Sequence, residues 1–343
     1  MRLLKNKTIV LFGLILVVGV LFFSVYWKQK TLLKTSNLTK IKVGWQTPWA
    51  TQGQLTQILK HTDLLQKNGL VADFKGFDFG APLNEAALAK GVDVIFTADQ
   101  PAATLFTKSQ DWVIIGRLMY NRVSLYVPPR SPITNVAELK GKTVAMPFGA
   151  AAQRVALKAE VDAGLNPTKD VNNINLGILE QGDLVKDSNA VRWGKIDALA
   201  GFDPTPAIFE SKGLIRNLAT GKVVSVIVMS KDFIKVNPDA PVKFLKAFYD
   251  SYDYYRNNID QADNWFVEES NLSVSHDVFK TCSDIEPNLS VKNKSDIRIG
   301  FTDDDYNVLQ DAADFIFNQS LVKTKVNMRD FVDVSYLQKS GLH

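Results

Sequence analysis

Two short stretches of this chain share one grammar, and together they set what it can become. Gly91-Val92-Asp93-Val94-Ile95-Phe96-Thr97-Ala98-Asp99-Gln100-Pro101 and Gly194-Lys195-Ile196-Asp197-Ala198-Leu199-Ala200-Gly201-Phe202-Asp203-Pro204 each follow a helix-like segment. Each turns at glycine, runs through a few apolar residues and stops at a polar residue and a proline. That pattern describes a buried parallel strand whose carboxyl end opens into a loop and a new helix. Ligands of open α/β sheets bind just outside such strand ends. Two of them predict two α/β lobes facing one site.

The rest of the chain fits that frame. Strands are predicted at residues 41–45, 71–77, 92–96, 113–120, 123–127, 143–146, 174–178, 196–200 and 223–229. Helices are predicted at 55–65, 83–89, 101–107, 151–163, 182–193 and 206–212. Alternation of this kind implies a parallel sheet covered by helices. Pro128-Pro129-Arg130-Ser131-Pro132 breaks the chain between two such runs, and the β-branched run at 223–229 can carry it back to the first. Beyond it lie helices: Phe244, Leu245, Phe248, Tyr249, Tyr252 and Tyr255 form one apolar stripe, with further helices near Trp265 and at 303–317.

Charge and cysteine content remove several function classes. Residues 1–42 hold eight Lys or Arg and no acid, so the formal +4 of the chain leaves −4 for the body. A mildly acidic body argues against nucleic-acid binding. The single cysteine, Cys282, excludes an intramolecular disulfide and a cysteine-based zinc site, and His61, His276 and His343 show no ligand spacing. Lys140-Gly141-Lys142-Thr143 resembles part of a phosphate loop, but Val136 stands where the earlier glycine is required, and the segment precedes a strand. Metalloprotease, nucleophile-elbow and dinucleotide-binding motifs are missing. No metal, no cofactor and no catalysis are expected.

Residues 9–27 form an uncharged, mostly apolar run, which as a helix would span roughly 28 Å, close to the ~30 Å hydrocarbon core. Arg2, Lys5 and Lys7 precede it, and Tyr26 and Trp27 end it. No small-x-small cleavage pattern and no lipid-accepting cysteine follow, so an uncleaved anchor is favoured over a cleaved signal. The expected organisation is a cytoplasmic tail at 1–8, a transmembrane anchor at 9–27 and a polar tether at 28–39. The first lobe is built from 40–126 and 226–343, and the second from 127–225. The body is expected on the extracytoplasmic side of a cell membrane.

Several pieces, in order, resemble the periplasmic substrate-binding proteins of ABC importers for nitrate, sulfonates and taurine, a superfamily that includes thiamine-precursor binders. They are Ile41-Lys42-Val43-Gly44-Trp45, Gly91-Val92-Asp93, Leu139-Lys140-Gly141-Lys142-Thr143-Val144-Ala145 before Gly149, Gly194-Lys195-Ile196-Asp197-Ala198, and Phe202-Asp203-Pro204. The resemblance covers about residues 40–265. It implies an α/β, two-lobed, periplasmic-binding-protein-like (type II) fold joined by two strands, here with an N-terminal transmembrane helix and extra C-terminal helices. It also implies hinge closure on a small polar solute, anionic or zwitterionic, and an ABC permease with its ATPase as partner. Crossover strands are expected at 126–129 and 223–228.

Candidate ligand-binding residues follow from the strand ends. Gly149, Ala150 and Gln153 enter a helix whose free N–H groups suit an anion, or they form a plain strand-to-helix turn. The family often has a hydroxyl residue near Ala150, and its absence speaks against a sulfonate or nitrate. Arg154 reads as an outward, solvated arginine. Asp203 is an acceptor for a ligand amine or hydroxyl, or the cap of the next helix; Phe202 packs on ligand or closes the core. Thr97 and Gln100 offer hydrogen bonds at the matching end. Gln46 and Trp49 follow the first strand, Asn121 lies near the first crossover, and Gln181 follows another strand. The rival readings are an enzyme of thiamine-precursor or menaquinone biosynthesis on the same fold, and a solute-sensing module.

Overall fold

The computed structural model describes residues 38–270, 272 and 274–342. The expected tail, the anchor at 9–27 and nearly all of the tether lie outside the described residues. Among the described residues, no helix is long and apolar enough to cross a membrane.

In chain order the elements that position the site are β1 (Thr39–Gln46), α1 (Gln52–His61), β2 (Leu70–Phe77), α2 (Gly80–Leu88), β3 (Val94–Ala98), α3 (Asp99–Lys108) and β4 (Trp112–Val127). Then come β5 (Thr143–Met146), α4 (Ala151–Asp162), β6 (Asn172–Asn175), α5 (Ile178–Leu184), β7 (Ala198–Phe202), α6 (Thr205–Ser211) and β8 (Arg216–Ser230). Helices α7 (Ala240–Asn257), α8 (Ile259–Ser270), α9 (His276–Ser283) and α10 (Asp303–Asn318) complete them.

Eight strands form one sheet in the order β2-β1-β3-β8-β4-β7-β5-β6. The outer strands run parallel where paired register is defined, β1 with β3 and β5 with both β6 and β7. The centre departs from the expected all-parallel sheet. β4 and β8 are long, pair antiparallel from Trp112↔Ser230 to Val127↔Arg216, and separate the two groups. β8 borders β3 through Ser225–Met229, whereas β4 borders β7 through Val123–Tyr126. These two strands belong to both halves, which makes the architecture two-lobed.

The two strands expected at 113–120 and 123–127 are one. The polar pair Asn121-Arg122 interrupts the apolar pattern without interrupting the ladder, where Asn121 pairs with Val223 and Arg122 with Lys222. The helix expected at 182–193 ends at Leu184 and begins earlier, at Ile178, because the Glu180 carboxylate accepts the Gly177 N–H at 2.7 Å and starts the helix there. The strand expected at 174–178 is displaced to Asn172–Asn175 for the same reason.

Both Gly-to-Pro stretches begin their strand two residues later than expected, and the physical reason is the same in each. Asp93 donates its N–H to the Lys42 carbonyl (2.8 Å), and its carboxylate accepts the Lys42 N–H (2.8 Å). Asp197 does the same with Thr143, at 2.9 Å in both directions. Each aspartate thus clamps the first residues of the neighbouring parallel strand, and the strand proper starts after it. Helix α7 closes the first lobe, with Phe244, Phe248, Tyr252 and Tyr255 buried and Phe244 and Phe248 against Phe96, whereas α9 joins Phe209 and Trp193 of the second through Val278, Phe279 and Cys282. Burial of each such side chain contributes about 1.5–3 kcal/mol. Tyr249, predicted in the same stripe, is half-buried at its edge and donates its hydroxyl to the Lys294 carbonyl.

Candidate functional site

The strand ends of the two lobes meet. Ala50 donates its N–H to the Asp203 carbonyl at 3.2 Å, and the Trp49 and Phe202 rings pack edge to face at 4.7 Å. On the far side of the strand ends, a Cβ at Gly149 (φ 80°) would lie 3.0 Å from Ala81 Cβ, so both the backbone conformation and the close approach favour glycine there.

Around this seam sit buried neutral polar groups without protein partners. Gln46, at the end of β1, donates its backbone N–H to Gln52 Oε1 (2.6 Å), and the side-chain nitrogens Gln46 Nε2 and Gln52 Nε2 have no protein partner. Trp49 Nε1, Thr51 Oγ1, Thr97 Oγ1, Asn121 Oδ1 and Ser225 Oγ are unpaired as well. All seven residues are essentially inaccessible. Strand register places Asn121 and Ser225 on one face, and the Asn121 amide reaches the Ala50 carbonyl of the 46–52 loop at 3.5 Å. Gln46 and Thr97 fall on the other face, two residues beyond the Gly44↔Ile95 pair. An unsatisfied buried group costs about 1–3 kcal/mol, so a group of them at one seam calls for a partner from outside the chain. The loop also holds Thr51 at φ 65°, ψ −52°, a left-handed conformation that is strained for a β-branched residue.

The start of α4, expected to offer free N–H groups to an anion, is instead met by the protein's own amides. Gln153 Oε1 accepts the Gly149 N–H (2.8 Å), and Gln100 Oε1 accepts the Arg154 N–H (3.0 Å). Gln100 Nε2 donates to Gln153 Oε1 at 3.3 Å, which ties the first lobe to the second. Ala150 is the buried cap residue of α4. Arg154 is not solvated: it is buried, and its guanidinium donates to Asp99 at 2.7 Å, because α3 of the other lobe covers it. Burial pushes the Asp99 carboxyl up, with Arg154 pulling it back.

Asp203 is a fully buried carboxylate engaged by the shared strand β4. Arg122 meets both of its oxygens, at 2.9 and 3.2 Å, and also reaches Glu210. Burial raises the Asp203 pKa, while Arg122 and the Ala207 N–H lower it. Gln181 is likewise consumed, donating to the Ala200 carbonyl (2.9 Å) and accepting from the Tyr126 hydroxyl. The structure therefore brings Gln46, Trp49, Thr97, Asn121 and Phe202 to the seam, along with Gln100, Gly149, Ala150 and Gln153 across it. It places the side chains of Asp203 and Gln181 in internal bonds. Gln52, Thr51, Ser225, Asp99 and Arg122 also lie at the seam or hold it, and none of them stood out in the sequence. A lone serine inside the β-branched 223–229 run was the one signal available for Ser225.

Among the described residues no cluster of His, Cys, Asp or Glu could hold a metal ion.

A family model described as NMT1/THI5 like matches residues 85–262. A protein of Bacillus subtilis (strain 168), described as a candidate aliphatic sulfonates-binding protein, is 24% identical over 286 residues, 81% of each chain. The periplasmic aliphatic sulphonate binding protein SsuA of Escherichia coli superposes with a TM-score of 0.69 at 22% identity, covering 86% of this chain and 92% of that one. The alkanesulfonate-binding protein SsuA of Xanthomonas axonopodis pv. citri, bound to MOPS, gives 0.69 at 19% identity, over 86% and 98%. The likeness establishes the two-lobed periplasmic-binding-protein-like fold, and the family match spans just over half of the sequence: this chain belongs to the NMT1/THI5-like family.

Proposed function

We propose that this chain is the solute-binding component of an ABC importer, and that it captures a small oxyanion-bearing solute, a sulfonate above all, between its lobes. One observation carries this reading: the unpaired, buried, neutral groups near the strand ends include the N–H donors of Gln46, Gln52 and Trp49 and the hydroxyls of Thr51, Thr97 and Ser225. Neutral donors in a dry site can hold an anion without a counter-charge, because charge-assisted hydrogen bonds are roughly twice as strong as neutral ones. The cations at the seam, Arg154 and Arg122, are already paired with Asp99 and Asp203. This answers the missing hydroxyl near Ala150: the oxyanion is met from the 46–52 loop and the strand ends instead of the α4 terminus.

Closure is the proposed mode of capture. The two halves share β4 and β8, which pair with each other throughout, while β3 borders β8 only from Ser225 onward and β7 borders β4 only from Val123 onward. Rotation there separates the 46–52 loop from Phe202 and Asp203 and exposes the donors. A solute bound by both lobes favours the closed form. Residues 9–27 anchor the protein in the cell membrane with the body outside the cytoplasm, and a permease with its ATPase receives the solute.

A thermal-shift screen on the full chain tests the binding reading, with nitrate, taurine, ethanesulfonate, MOPS and neutral sugars as probes. Stabilisation by one of the oxyanions, with no turnover of it, is the expected result. Stabilisation by sugars alone, or conversion of a probe to product, sinks it. Retention of the protein in membranes through alkaline carbonate extraction tests the anchor.

A further inference from the structure

Asp99 opens α3 at the end of β3, and Arg154 lies in the first turn of α4, which follows β5, so their ion pair joins the two lobes. The Asp99 side chain is fully buried and the Arg154 side chain is 7% exposed. Neither charge is placed there for ordinary stability. A buried ion pair gains little over apolar packing, and a cation in the first turn of a helix meets the unfavourable end of its dipole. The two partners are also unequally held. Asp99 accepts the Gln100 N–H (2.6 Å) and lies 3.4 Å from the Val224 N–H, both within its own lobe or the shared strand. The Arg154 guanidinium has Asp99 as its one hydrogen-bond partner among the described residues, and its Nε–H is unpaired. Asp99 thus stays in place whether or not the lobes meet, whereas Arg154 exchanges water for Asp99 only when they do.

We propose that Asp99 and Arg154 are positioning residues for solute binding: their pairing draws the start of α4 against α3, aligns Gln100 with Gln153, and sets the fraction of protein that is closed before any solute arrives. The pairing stands on the geometry; its consequence for affinity rests on the solute-binding reading above. Where the closed state is the competent one, affinity scales with its population. Asp99 and Arg154 then act on affinity without touching solute. An interlobe bond made by the protein alone also explains why the α4 terminus carries its own amide partners instead of an open anion site.

The test is the ligand-free distance between lobes in the full chain, read by spin labels on Lys67→Cys and Lys195→Cys; Cys282 is buried and stays unlabelled. Asp99→Asn and Arg154→Gln are each expected to lower the closed-to-open ratio by about tenfold or more, since each strands a buried partner. The double variant is expected to open no further than the worse single one. Arg154→Lys, which keeps the charge, restores part of the closed population. Circular dichroism and melting confirm that the variants are folded. Distance distributions that superimpose on the wild type, or single effects that simply add in the double variant, overturn the proposal. A wild type that closes as described yet binds none of the oxyanion probes leaves the latch standing and removes the solute reading instead.

Discussion

Glu160 offers the sharpest test of the electrostatic picture. It lies on α4, fully buried, and accepts from Asn173 Nδ2 at 2.9 Å through one oxygen while the other oxygen has no partner. Burial pushes its carboxyl from the ordinary 4.5 up to about 7, against the opposing pull of Asn173. The folded protein therefore prefers the neutral acid. Between pH 4.5 and 7 the unfolded chain gives up the proton and the folded chain keeps it. The stability that belongs to the neutral carboxyl is complete below pH 4.5 and is lost as pH rises through 7. A shift of that size corresponds to at most about 3 kcal/mol. Glu160→Gln removes the titration and keeps the hydrogen bond to Asn173. Urea unfolding at pH 5 and pH 8 is the assay. At pH 5 the variant is expected to match the wild type or fall about 1 kcal/mol below it, because the new amide N–H lacks a partner. At pH 8 it is expected to exceed the wild type by about 2 kcal/mol. Asp99, Asp203 and Asp263 are raised too, but they contribute equally to both proteins. A difference between variant and wild type that is the same at both pH values refutes the reasoning.

Three further outcomes follow from single contacts. Arg117 and Glu286 form a fully buried pair at 2.7 and 3.0 Å, and Glu286 also takes the Tyr120 N–H. Glu286→Gln should cost about 3–5 kcal/mol in urea unfolding, by stranding the guanidinium. Asp93→Ala removes the clamp on Lys42 and should cost about 1–2 kcal/mol, read the same way. Gly149→Ala places a methyl group 3.0 Å from Ala81 in a backbone conformation that suits glycine, so the lobe-to-lobe distance should lengthen with melting temperature lowered by only a few degrees.

The two Gly-to-Pro stretches show what the sequence could convey. Their strands, their helices and their place at a lobe junction were all legible from apolar runs ended by a polar residue and proline. The role of Asp93 and Asp197 was not, because a carboxylate that binds the next strand looks the same in sequence as one facing water. The ion pairs of Asp99 and Asp203 were hidden for a related reason: their partners, Arg154 and Arg122, lie 55 and 81 residues away, and no local period reports such a pairing. The antiparallel turn of β4 and β8 was hidden because strand direction depends on which neighbours a strand finds. Gln46, Trp49, Thr97 and Asn121 were legible as candidates since polar residues at strand ends are few. Gln52 was not, since a glutamine in the first turn of a helix ordinarily faces solvent.

The central claim is that the unpaired donors at the lobe seam are there for an oxyanion. Calorimetric titration of the full chain with ethanesulfonate, beside its Gln46→Leu variant, addresses it most directly. Saturable one-to-one binding to the wild type is expected, with a loss of about tenfold or more in the variant, whose charge is unchanged and whose buried site lacks one donor. Equal affinity in the two proteins, or no heat from ethanesulfonate, taurine, MOPS or nitrate in either, contradicts it.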